Sequence, residues 1–202
     1  MYSTRSGLIL GFHGCDQSVV DQVINGQDCL KFSENIYDWL GHGIYFWDNS
    51  PSRAKEYAFF LKKENKVEQP AVIGAVIDLG FCLDLLDFDN LQLLKLGYEV
   101  LRNSRNSSEF PENKTGRNSN DLLLRNLDCA VINSLHEVRK GNEDEEAMQP
   151  FDSVRGVFWE GNDIYPNAGF KEKNHIQICV RNPNCIKGFF IPRELDTDHP
   201  KV

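Results

Sequence analysis

Three short fragments hold residues whose types suit chemistry on a ligand. The first is Gly11-Phe12-His13-Gly14-Cys15, a His-Gly pair closing an apolar run. The second is Gly41-His42-Gly43-Ile44-Tyr45-Phe46, a tyrosine entering a strand-like run behind two glycines. The third is Asn174-His175-Ile176-Gln177-Ile178-Cys179-Val180, which sets a polar Gln177 between two isoleucines. An imidazole or amide can hold a ligand by hydrogen bonds, glycine lets a ligand approach the backbone, and an aromatic ring stacks on a flat cation. Each fragment alone also has a plainer reading. A His-Gly pair forms an ordinary turn, an aromatic entering a strand joins the core, and an alternating Gln177 faces solvent.

These residues need elements to carry them. Leu8 to Phe12 reads as a short strand ending at His13-Gly14, and Gln17 to Asn25 as a helix stopped by Gly26. Phe32 to Gly43 reads as a structured loop and Ile44 to Trp47 as a strand. A helix then runs from Pro51 to about Lys63, with Ser50 as N-cap. Ala71 to Leu79 is a strand, with Cys82 to Leu86 a short extension of it. Leu91 to Leu101 and Asp121 to Val138 read as helices, separated by an Asn- and Ser-rich loop over 103–120 that is expected to be flexible. Val154 to Trp159, His175 to Arg181 and Cys185 to Phe190 read as strands, the last two joined by an Asn182-Pro183-Asn184 turn. Residues 193–202 form a polar tail. Nothing divides the chain, so residues 1–202 are expected to form one α+β domain.

The bulk numbers narrow the classes. The chain has 202 residues, with 41% hydrophobic and 26% charged, which suits a folded domain with a real core. No apolar run approaches the roughly 20 residues that span a bilayer, and Met1 to Gly11 is too polar for a secretory signal. The expectation is a cytoplasmic protein with no membrane partner. Thirty acidic residues against 22 basic ones give a net charge of −8 and no basic stripe for extended nucleic-acid binding. Six scattered cysteines, none in a C-x-x-C pair, read as buried reduced thiols, and no ligand cluster suggests a metal.

Taken together and in this order, the three fragments resemble the motifs of the diphtheria-toxin-like, PARP-like ADP-ribosyltransferases, which carry a His-Tyr-Glu signature across three strands. Phe12-His13-Gly14-Cys15 resembles the first motif, and Gly41 to Ser50 the second, with Tyr45 following His13 by 32 residues. Ser33 to Leu40 resembles the family's donor loop. The resemblance covers residues 10 to 60 best, 153 to 192 moderately, and little between. It implies an ADP-ribosyltransferase fold, with two small packed, antiparallel-rich sheets forming an NAD-binding cleft flanked by helices. It also implies NAD+ as substrate and no metal. In that reading Gly14 clamps the nicotinamide amide, Tyr45 stacks on the pyridinium, and His13 holds the adenosine ribose. Cys15, Gly43, Phe46, Ser50, Arg53 and Tyr57 complete the donor site.

The chain departs from the pattern at the third position, where Gln177 stands for Glu. An amide holds a ribose hydroxyl but carries no charge and takes no proton. The resemblance therefore implies transfer of single ADP-ribose units, with Gln177 in the catalytic set; a carboxylate could instead reach the site through the Gly161 to Lys173 loop, from Glu160 at the close of one strand or Glu172 just before the next. Both of these also read as exposed loop residues. Tyr57 falls one residue later than the family's tyrosine, which turns it about 100° around its helix. Arg53 suits either a pyrophosphate or a surface ion pair. The acceptor is a macromolecule, whether protein, RNA or DNA, and the compact chain suits a toxin, a defence effector or a modifier with an antitoxin or regulatory partner. An NAD/ADP-ribose-binding module and an NAD+ glycohydrolase remain as alternatives.

Overall fold

The computed structural model describes residues 7–104, 110–116, 120–141 and 148–199. In chain order the elements are β1 (Ile9–Asp16), α1 (Gln17–Ile24), β2 (Ile44–Asp48), α2 (Pro51–Lys63), β3 (Pro70–Ile77), β4 (Cys82–Asp84) and α3 (Phe88–Ser104). They continue with β5 (Asn113–Lys114), β6 (Leu124–Arg125), α4 (Asn126–Lys140), β7 (Ser153–Phe158), β8 (His175–Val180) and β9 (Ile186–Phe190). The described residues form a mixed α+β arrangement. Seven strands make one sheet in the order β4-β7-β8-β2-β1-β3-β9, antiparallel except for the β4–β7 pair, while β5 and β6 pair separately.

The join at the middle of this sheet positions the site. β1 pairs with β3 along its whole length, Ile9 to Asp16, but with β2 only at Gly11–Asp48 and Phe12–Trp47. β2 meanwhile pairs with β8 from Ile44 to Trp47. Where two separate small sheets were expected, a two-pair ladder joins the halves, and beyond it β1 and β2 no longer pair. The His13 side chain bridges the gap, its Nδ1 lying 2.8 Å from the Tyr45 carbonyl.

Period-two alternation sorts the strand side chains onto two faces. On one face Phe46, Ile73, Ile77 and Ile178 pack with Val20 and Val23 of α1. On the other, Leu83, Val154 and Cys179 pack with Ile132 and Leu135 of α4. Full burial of each large aliphatic side chain stabilises the fold by about 1.5–3 kcal/mol. A smaller cluster of Phe12, Trp47 and Ala54 lies under α2. Here α2 comes unusually close: a Cβ on Gly14 would lie 2.1 Å from the Ala54 carbonyl oxygen.

Several boundaries differ from the sequence reading. β1 runs through His13-Gly14 to Asp16, because β3 pairs with it throughout. The Asp16 carboxylate then caps α1, accepting from Ser18 N (3.0 Å), and ties down the Glu68 and Gln69 amides at 2.7 and 2.9 Å. Those bonds stabilise the carboxylate and hold its pKa well below the usual range. Cys82 to Asp84 does not extend β3 but crosses to the far edge of the sheet, parallel to β7. α4 begins at Asn126 rather than Asp121, since Leu124-Arg125 pair with Asn113-Lys114. Of the expected 103–120 loop, Asn103 and Ser104 close α3 and residues 113–114 form β5, while 105–109 and 117–119 lie outside the described residues, as does most of the charged stretch at 140–146. Residues 193–199 of the expected tail carry no strand or helix. Ser50 holds the N-cap position of α2 without a capping side-chain hydrogen bond, with Pro51 behind it. All six cysteines are free thiols, five buried and Cys29 exposed.

Candidate active site

Where β1 and β2 part, the surface opens into a cleft of about 430 Å³. Its lining includes His13, Tyr45 and Gln177, drawn from three strands and three distant points of the sequence. Gln177 lies opposite Trp47 of β2 and Gly156 of β7. The Ser33 to Gly43 loop forms one wall. Ser33 and Gly43 exchange backbone hydrogen bonds of 2.9 and 3.0 Å, which close it. The Tyr45 hydroxyl braces it from within, donating to the Gly41 carbonyl (2.7 Å) and accepting from Leu40 N (3.0 Å). Burial raises the pKa of this phenol well above its ordinary value, so it stays a neutral donor.

Trp39, carried by this loop, reaches across to the third position. Its indole Nε1 donates to Gln177 Oε1 at 2.6 Å, and its ring meets Phe158 edge-on with centroids 5.0 Å apart. Gly156 makes room for it, since a Cβ there would lie 2.9 Å from the Trp39 ring. An indole N–H only donates, so Gln177 must turn its oxygen toward Trp39 and its NH2 elsewhere.

Two imidazoles line the cleft, and neighbouring carbonyls set their tautomers. His13 Nδ1 donates to the Tyr45 carbonyl and His175 Nδ1 to the Lys173 carbonyl at 2.6 Å. Each ring therefore carries its hydrogen on Nδ1 and leaves Nε2 as an acceptor. Burial lowers the pKa of both, that of His175 to about 4 with a further contribution from Arg53, so both rings are neutral near pH 7.

The mouth is charged. Arg53 pairs with Glu160 (3.1 Å) and with Glu56, while Lys173 pairs with Glu56 (3.0 Å) and Glu160 (3.4 Å). The four groups close a ring of zero net charge. At Glu56 burial pulls the pKa upward, but Lys173 and Arg53 outweigh it and hold the carboxyl below its ordinary value.

Of the residues singled out from the sequence, His13, Tyr45, Arg53, Tyr57, Glu160 and Gln177 line this cleft. Tyr57 does so despite its one-residue offset, packing 5.1 Å from Trp47. The others lie elsewhere. Phe46 is wholly core, because strand alternation turns it away from Tyr45. Cys15 packs in the α1 core, where burial raises its thiol to about 11. The two glycines serve protein packing: a Cβ on Gly43 would meet Cys179 Sγ at 2.4 Å, and Gly14 faces Ala54. Glu172 braces its own loop, accepting from Asn162 N at 3.1 Å, and Ser50 does not line the cleft.

Trp39, Trp47, Glu56, Lys173 and His175 also line the cleft, and sequence reasoning missed them. His175 carried a signal, standing two residues before Gln177 and so on its strand face, and Trp39 and Trp47 lie within the two segments that resemble the donor loop and the second motif. Trp47 Nε1 is buried with no partner among the described residues. Among those residues, no group of three or more His, Cys, Asp or Glu is arranged to hold a metal ion, and no helix is long and apolar enough to cross a membrane.

An uncharacterized protein of Methanocaldococcus jannaschii is 26% identical to this chain over 196 residues, which span 87% of this chain and 83% of the relative. The likeness thus runs over most of both chains. No family model matches the chain. No solved structure matches it.

Proposed function

We propose that the chain has the ADP-ribosyltransferase fold, binds NAD+ in this cleft, and transfers single ADP-ribose units to a macromolecular acceptor. The observation that carries this reading is that His13, Tyr45 and Gln177, the three positions of the resemblance, line one cleft at the parting of β1 and β2. The chemistry of the lining agrees. Tyr45 offers a ring for the cationic pyridinium. His13 offers a bare Nε2 to a ribose hydroxyl. Cleavage of the nicotinamide–ribose bond passes through an oxocarbenium-like transition state, and an uncharged Gln177 supports single transfer without a carboxylate for elongation. Glu160 is engaged by Arg53 and Lys173, which makes it a holder of the mouth rather than a free base.

The test is incubation of the pure chain with adenine-labelled NAD+ and, in turn, cell protein, RNA and DNA. Transferred label is the expected result and names the acceptor class. Free labelled ADP-ribose alone would indicate a glycohydrolase. The Trp39–Gln177 hydrogen bond favours one second reading, an NAD/ADP-ribose-binding module, because it occupies the oxygen of the third residue. Intact NAD+ throughout, with nicotinamide release gained in Gln177→Glu and not in Gln177→Ala, would select that module.

A further inference from the structure

Every carboxylate lining the cleft is already engaged. Glu56 and Glu160 are each bridged by both Arg53 and Lys173, and Asp38 accepts from the Asn35 backbone (2.8 Å) and side-chain amide (3.4 Å). Gln177 takes no proton. A transfer reaction still needs a group to receive the proton of the incoming nucleophile. We propose that His175, through Nε2, is that proton acceptor; the assignment rests on the NAD+-cleaving reading above.

Three features of the geometry point there. His175 and Gln177 lie two residues apart on β8, so both face the cleft. The 2.6 Å bond from Nδ1 to the Lys173 carbonyl fixes the tautomer that bares Nε2, and Nε2 has no hydrogen-bond partner among the described residues. Arg53 Nε also approaches Nδ1, at 3.5 Å, but a nitrogen that already carries its hydrogen cannot accept, so the shorter bond decides. The ring itself is held between Phe158, stacked at 5.5 Å, and Trp47 at 6.2 Å. The charged groups around it are Arg53 and Glu56 of α2, Lys173 just before β8 and Glu160 just after β7, which neutralise one another in the ring at the mouth. Burial and the nearby Arg53 keep the imidazole unprotonated at neutral pH. His13 also bares Nε2 and lines the cleft, but the proposed reading commits that nitrogen to a ribose hydroxyl.

The step balances without another reagent. An acceptor X–H attacks the ribose carbon of NAD+ that bears nicotinamide. The X–C bond forms as the C–N bond breaks, and its electron pair leaves with neutral nicotinamide. The X–H proton passes to His175 Nε2 and then to water.

The test uses the full chain with His175→Ala and His175→Gln, following label transfer, nicotinamide release and NAD+ affinity. Proton transfer by a positioned side chain is worth about 10²–10⁴-fold. Transfer is expected to fall about 100-fold or more in both variants, with the Kd for NAD+ changed less than about threefold. Added imidazole should restore transfer in His175→Ala, more so as pH rises and free imidazole loses its proton. Should the alanine variant fail to fold, His175→Gln, which keeps a polar side chain but accepts no proton, carries the test through its rate and affinity. Undiminished transfer, a matching loss of NAD+ affinity, or loss without imidazole rescue in folded His175→Ala overturns the assignment alone. A wild type that releases no nicotinamide and labels nothing overturns the parent reading and the assignment with it.

Discussion

Along the inner wall of the cleft two neutral imidazoles and a neutral phenol are tied to backbone: His13 to the Tyr45 carbonyl, Tyr45 to Leu40 and Gly41, His175 to the Lys173 carbonyl. At its mouth the same cleft is held by four charged side chains that answer one another. The wall draws on short hydrogen bonds shielded from water, which are costly to leave unmade. The mouth draws on partly exposed ion pairs, each worth about 0–1 kcal/mol and weakened by salt. Losses in the wall should therefore be large and insensitive to salt, and losses at the mouth small and salt-dependent.

The largest effect is expected from Tyr45→Ala. On the proposed reading it removes the stacking ring, worth about 1 kcal/mol or more against a cation, and it frees the loop carbonyl and amide that the hydroxyl holds. Nicotinamide release should fall about tenfold or more at both low and high salt, with stability lowered by about 3 kcal/mol in urea unfolding. Wild-type turnover in that variant would break the distinction at once.

Next comes acidification. His175 and His136 are buried, and burial first, then neighbouring cations, lowers each folded pKa to about 4; the cations are Arg53 and Lys173 for His175, and Arg181, Lys140 and Arg139 for His136. The unfolded chain protonates its histidines near 6.5. Between those values the unfolded state binds more protons, so stability is fully present above about pH 6.5 and declines as pH falls toward 4. The loss from pH 6.5 to 5 should be about 1.5 kcal/mol per histidine. Urea midpoints at the two pH values should differ less in His136→Asn and in His175→Gln than in wild type. An unchanged pH slope in both would show that the buried rings do not govern it.

The smallest effect belongs to the mouth. Lys173→Ala should cost less than about 1 kcal/mol at low ionic strength and less still in molar salt. A salt-independent loss of several kcal/mol would move Lys173 from mouth to wall.

Much of the frame was legible where signals are local. α1 and α2 announce themselves by apolar spacing, Gly26 and Pro51, and β3 by its run of Val and Ile. Long-range pairing was not legible. Nothing local in Cys82-Leu83-Asp84 says that it lies beside β7, and Arg155 gives no hint that it bridges Asp48 and Asp84 at 2.9 and 3.1 Å across three strands. At the site, His13, Tyr45 and Gln177 stood out because their three fragments, taken together and in order, resemble the family's motifs. Trp39 and Trp47 look like ordinary loop and strand aromatics, and only tertiary placement gives the first a partner 138 residues away. The motif glycines show a limit of the sequence, since a glycine demanded by a neighbouring helix or strand has the same letter as one demanded by a ligand.

Gly14 shows what that demand does. It acts as a gauge block between β1 and α2, setting their spacing to less than any side chain would allow, with the Ala54 carbonyl where a Cβ would be. Arg53, Glu56 and Tyr57 all ride on that helix. The width of the cleft, and the reach of three residues that line it, are thus metered by one hydrogen atom on the strand packed against their helix.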